Sequence, residues 1–146
     1  MRSTRPMVKA ALLLVLTACG AGLQPPSGIP GAPAAPVAVE RFLQLAADRD
    51  YAGMGWYFGT SEGPVMQRDP VSQVERRMYG LASLLENDSF IVGNGLPVPG
   101  RTGEAIRFNV ILTRRGRTLA VPFTTVRGPD ERWYVEQLDV EAITAP

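Results

Sequence analysis

The sequence predicts an α+β domain in which N-terminal helices pack on a curved antiparallel sheet of about four strands. Two patterns carry this reading. Up to about Glu86 the apolar residues recur at helical spacing; from Phe90 onward they alternate, with turn residues between the runs. A third observation bends the sheet. Pro122 falls in mid-strand, and the apolar parity of the last run switches near Glu136 and Gln137; both call for a bulge or an edge.

The first helix follows from Val39, Phe42, Leu43, Ala46 and Ala47, which form one apolar stripe. Pro36 suits its first turn, and Asp48-Arg49-Asp50 ends it in polar residues. Tyr51 to Phe58 forms a short helix or turn, weakened by Gly53 and Gly55. Gly59 to Arg68 is expected as a loop. Asp69-Pro70 is a helix start, an N-cap acid before a first-turn proline. Val71, Val74, Met78, Leu81 and Leu85 then mark a helix that runs to about Glu86 and stops at Asn87-Asp88.

Phe90-Ile91-Val92 is a short strand before a Gly/Pro-rich stretch, Gly93 to Gly103. Ile106, Phe108, Val110 and Leu112 alternate with polar residues in the next strand, and Arg115-Gly116 turns the chain. Leu119, Val121 and Phe123 share a face of the third strand. Gly128-Pro129-Asp130 turns it again, and Trp133 to Ala142 closes the sheet.

The beginning of the chain reads as an address. Arg2, Arg5 and Lys9 precede the apolar run Ala10 to Leu16, and small residues follow. That is the layout of a secretory signal, and the run is far below the roughly 20 residues a membrane-spanning helix needs. Leu16-Thr17-Ala18-Cys19 resembles the lipobox of bacterial lipoprotein signal peptides. The resemblance implies lipid on the sulfur of Cys19, cleavage before it, and attachment to the cell envelope. The competing reading is an ordinary signal cut near Ala18, Gly20 or Ala21, which leaves a soluble secreted protein. Gly20 stands where this class carries Asp for inner-membrane retention, so the resemblance implies an outer-membrane protein facing the periplasm in a diderm. Residues 1–18 are then the signal peptide, and 19–36 are the lipidated Cys and its tether. Residues 37–144 are the domain.

Gly20 to Pro36 holds five Pro and four Gly and no charge, which suits a semi-stiff tether. Losing Arg2, Arg5 and Lys9 leaves 12 basic against 14 acidic residues, a net charge of −2. That balance gives no support for nucleic-acid binding. Lys9 is the only Lys in the chain, so every mature cation is Arg. Selection for bidentate anion contacts and simple codon bias both explain this. The chain has no His and one Cys. A Ser-His-Asp or Cys-His unit, an internal disulfide and a His- or Cys-built metal site are therefore excluded, and no cofactor is expected.

Val39 to Met54, a helix leading through Asp-Tyr into a second short helix, resembles the opening of NTF2-like domains, with a cystatin-like α+β layout. Arg132-Trp-Tyr-Val-Glu-Gln-Leu138 is similar to their closing strand. The resemblance implies a cone: a curved sheet wrapped on helices around an apolar pocket. It also implies isomerases and dehydratases on one side, binding or scaffold modules on the other, and frequent pairing into homodimers.

Three groups of residues are candidates for a site. Trp56, Tyr57, Phe58 and Trp133 either line a pocket for a small apolar ligand or fill the core. Asp48, Asp50 and Tyr51 offer a carboxylate base with a hydroxyl donor, or else serve as helix caps. Arg114, Arg115 and Arg117 at a hairpin tip meet an anion or a partner, or form a solvated turn. With no compact catalytic set, the expectation is a membrane-anchored binding or scaffolding module. Its partners are the membrane, through the lipid, and an envelope protein or a second copy. The alternatives are a carrier of a lipophilic ligand in the cone and an isomerase-like enzyme using a carboxylate.

Overall fold

The computed structural model describes residues 28–145; the expected signal peptide, Cys19 and the first part of the expected tether lie outside the described residues. Helix α1 (Ala35–Ala47) buries Ala38, Val39, Phe42, Leu43 and Ala46, the expected stripe, while Ala47 faces out. It begins two residues earlier than the boundary at Val37, with Pro36 in its first turn. A short helix α2 (Tyr51–Gly55) follows, then a two-residue hairpin, β1 (Gly59–Thr60) and β2 (Gly63–Pro64), and a 3-10 turn, Val65–Gln67. The hairpin and the turn occupy the stretch expected as a loop. Helix α3 (Val71–Leu84) has Pro70, not Asp69, at its N-cap. Asp69 makes no cap bond there; it pairs with Arg77 at 3.0 Å.

The sheet is a plain meander, β3 (Ser89–Pro97), β4 (Ala105–Arg114), β5 (Arg117–Arg127) and β6 (Trp133–Leu138), in that spatial order. Cross-strand rows set its inner face: Phe90, Leu112 and Leu119; Val92, Val110 and Val121; Phe108, Phe123 and Leu138. These rows meet α1, whose Phe42 ring lies 6.5 Å from Phe123 and 5.8 Å from Phe58. The Phe42–Phe123 pair is edge-to-face, a contact that adds to the burial of large rings.

Both expected bends are present. Consecutive Thr124 and Thr125 on β5 oppose Gln137 and Val135, so Glu136 is the extra residue of a bulge. Its carboxylate takes a two-pronged ion pair from Arg101, at 2.8 and 3.0 Å. Pro122 sits where β6 gives out, and its carbonyl accepts from the Asp139 amide. The chain then leaves the sheet into a last turn of helix, α4 (Glu141–Thr144), where the sequence pattern continues the strand to Ala142.

β3 is the larger departure. It runs through Gly93 and Gly95 to Pro97, with a register shift between Val92 and Gly95. A Cβ on Gly93 would lie 2.7 Å from the Asn109 carbonyl oxygen, and one on Gly95 2.7 Å from Phe108 and Ile106 side-chain carbons. Those glycines let the edge strand approach β4 closely, which composition alone reads as loop.

The end of the proline-rich stretch is docked rather than free. Ala32 bridges Trp133 through two backbone hydrogen bonds of 2.9 Å, and the Gly31 amide donates to the Trp56 carbonyl. Arg132 donates to the Pro30 and Gly31 carbonyls at 3.1 and 2.7 Å. Gly31 has φ +70°, and a side chain there would meet the Tyr134 ring at 2.8 Å. A proline-rich run can therefore act as an edge strand once its remaining donors are used.

Candidate functional site

The four aromatic candidates form a seam. Trp56 and Tyr57 are 7% and 5% exposed, and their carbonyls accept from Gly31 and Val135. Phe58 stacks near Phe42, with the Arg77 guanidinium 5.9 Å above its ring. Trp133 is half-buried and carries the bridge to Ala32. Together they join α2, β6 and the incoming chain.

The carboxylates settle at the surface. All 14 Asp and Glu lie among the described residues; 12 are exposed. The two half-buried ones, Asp69 and Glu136, are held by Arg77 and Arg101. Asp50 accepts from the Gly53 amide at 2.8 Å and caps α2, while Asp48 is the C-cap of α1. No carboxylate reaches the inner face of the sheet. Among the described residues no cluster of three His, Cys, Asp or Glu side chains is placed to hold a metal, and no helix is long and apolar enough to cross a membrane.

The arginine tip divides. Arg115 and Gly116 have φ +50° and +76°, so they form the two-residue turn between Arg114 and Arg117. Arg114 turns back and donates through Nε and Nη2 to the Glu86 and Leu84 carbonyls, satisfying acceptors at the end of α3. The Arg115 amide donates to Asp88 at 2.7 Å. The guanidinium groups of Arg115 and Arg117 remain exposed.

A cleft of about 390 Å³ opens where the C-terminal ends of α1 and α3 meet the start of α2. None of the four aromatic candidates lines it. Ala46, Ala82 and Leu85 give it an apolar floor. Tyr51 and Tyr79 wall one side, their rings perpendicular with centroids 5.5 Å apart. Tyr79 is 58% exposed. Arg49 and Glu86 supply charge to the lining. Arg49 has φ +57°; its amide donates to Ala46, and the next amide, that of Asp50, reaches Leu45. This is a Schellman end to α1, with Arg in the left-handed position that glycine usually takes.

Of the residues marked from sequence, only Tyr51 reaches this cleft. Tyr79 carried a faint signal: it lies off the apolar stripe of α3, on the face expected to be polar. Arg49 and Glu86 carried none, because single charges at helix ends are commonly solvated.

No family model matches the chain, and no curated protein is similar to it. A solved structure resembles it, described as an NTF2-like protein of unknown function from Cytophaga hutchinsonii ATCC 33406. The two share 12% identity at a TM-score of 0.40, over 73% of this chain and 91% of that one.

Proposed function

We propose that this chain is a cell-envelope lipoprotein, anchored through lipid on Cys19, whose NTF2-like domain is a non-catalytic binding or scaffolding module. One observation supports the binding half of this reading above the others. Side chains of α1 and the sheet fill the inner face, and all 14 carboxylates stay at the surface. An isomerase-like site needs a carboxylate buried in an apolar cavity, where its charge state can be tuned. A carrier needs open space on the inner face. Neither is favoured here. What the domain offers a partner is its outside, chiefly the cleft between α1 and α3. The lipobox-like Leu16-Thr17-Ala18-Cys19 supports the anchor. Two or more acyl chains hold a protein stably, at about 0.8 kcal/mol for each buried methylene. Orientation toward the periplasm on an outer membrane follows from Gly20, if the source is a diderm.

The experiment is Cys19→Ser with membrane fractionation and mass spectrometry of the N-terminal peptide. The wild type is expected in the membrane fraction with acyl mass on Cys19, and the variant is expected to leave that fraction. An unacylated wild type, or a variant that stays with the membrane, overturns the anchor.

A further inference from the structure

We propose that the α1–α3 cleft binds a small zwitterion with an apolar body, an ammonium and a carboxylate on one scaffold such as a free amino acid. The proposal rests on the binding-module reading and names its ligand. Three features of the cleft converge on it.

Its volume, about 390 Å³, falls within the range of small-molecule sites. Its floor of Ala46, Ala82 and Leu85 with the perpendicular tyrosine pair takes an apolar or aromatic group. Tyrosine faces also attract an ammonium. The lining further holds one cation and one anion, Arg49 and Glu86. Among the described residues neither side chain takes part in any of the four ion pairs or in a side-chain hydrogen bond. Both are exposed, so a ligand with one charge would pair with one of them and leave the other to water. A zwitterion satisfies both, the carboxylate on the Arg49 guanidinium and the ammonium on Glu86 and the rings.

The placement of Arg49 adds weight. A left-handed C-terminal position strains residues other than Gly and, to a lesser degree, Asn and Asp. Here it fixes the backbone of the one cation in the cleft wall.

The test uses the full chain as cells yield it, in nanodiscs when lipidated and in buffer when not. Saturation-transfer NMR and calorimetry compare L-phenylalanine with 3-phenylpropionate and phenethylamine, which share its ring but carry one charge each. L-phenylalanine is expected to bind at least tenfold more tightly than either analogue. Tyr79→Ala, at an exposed position, is expected to weaken it at least tenfold. Arg49→Gly relieves the left-handed strain, so the variant should be at least as stable as the wild type. It should nevertheless bind L-phenylalanine no better than phenethylamine. Glu86→Gln should bring L-phenylalanine down to 3-phenylpropionate. Absence of saturation transfer from L-phenylalanine, equal binding of a single-charge analogue, or indifference to Tyr79→Ala overturns the ligand class. The anchor is judged separately by the Cys19→Ser fractionation, so a failed ligand and a failed anchor give different results.

Discussion

Arg132 is the clamp that holds the incoming chain, and removing it gives a quantitative test of the docked segment. Its guanidinium donates to two successive carbonyls, Pro30 at 3.1 Å and Gly31 at 2.7 Å. A hydrogen bond from a charged donor contributes about 1.5–3 kcal/mol when well buried. Arg132 is half-buried, so each bond is discounted to about 1 kcal/mol, or about 2 kcal/mol for the pair. The Ala32–Trp133 bridge and the Gly31-to-Trp56 bond remain, so the segment is loosened rather than released at once. In a Cys19→Ser background, Arg132→Ala is expected to lower the unfolding free energy by about 2 kcal/mol. In urea this is a midpoint shift of about 1 M. Hydrogen exchange should show the amides of Gly31 and Ala32 losing protection ahead of the sheet. Arg132→Lys, a single point donor, should recover part of the loss. A change below about 0.5 kcal/mol with unaltered exchange at Ala32 refutes the clamp.

Two further predictions concern the backbone and pH. Arg115→Asn should stabilise the domain by about 0.5–1 kcal/mol in urea denaturation, because Asn tolerates the positive φ of this hairpin turn and any residue keeps the amide bond to Asp88; an unchanged or lower value counts against the turn assignment. Burial raises the Tyr134 phenol above its ordinary value of 10.0, with Arg132 opposing and Asp130 adding to the shift. A group neutral in the fold and easier to ionise when unfolded leaves stability intact below pH 10 and removes it as pH rises through and above that value. Unfolding free energies at pH 9 and 11 should show this loss in the wild type and a smaller one in Tyr134→Phe; equal losses would place the alkaline sensitivity elsewhere.

The helices and the meander were legible because burial on one face writes a period into the sequence. Val39, Phe42, Leu43 and Ala46 mark α1, and the three cross-strand rows mark the sheet. The bulge at Glu136 was legible from the same logic, since an extra residue must invert the parity of the rest of its strand. β3 beyond Val92 was not, because Gly93 and Gly95 are chosen for close approach to β4, a property of the neighbouring strand. The docked end of the tether was hidden in the same way: its acceptors are met by Arg132, a hundred residues on. The cleft was the least legible. Its floor is drawn from two helices' stripes, and its charges stand at helix ends where charge is ordinary. Large aromatics drew attention to Trp56 and Tyr57, which the fold spends on its core.

The positions of these parts along the domain bear on what the module meets. The described chain enters beside Trp133 and Arg127, at one end of β5. The Arg114–Arg117 turn lies at the other end of that strand, and 11 residues of strand span about 35 Å. α1 starts at the entry end and runs opposite to β5, so Ala46 and the cleft lie about 16 Å from its start, and Arg114 ties the turn to the end of α3 beside the cleft. The cleft and the exposed Arg115 and Arg117 therefore share the end remote from the entry point. With Arg114 committed to α3, the tip also presents only two free guanidinium groups, fewer than a lipid-binding cluster needs. The cleft and the two exposed guanidinium groups therefore form one face at the end of the domain remote from where the described chain enters.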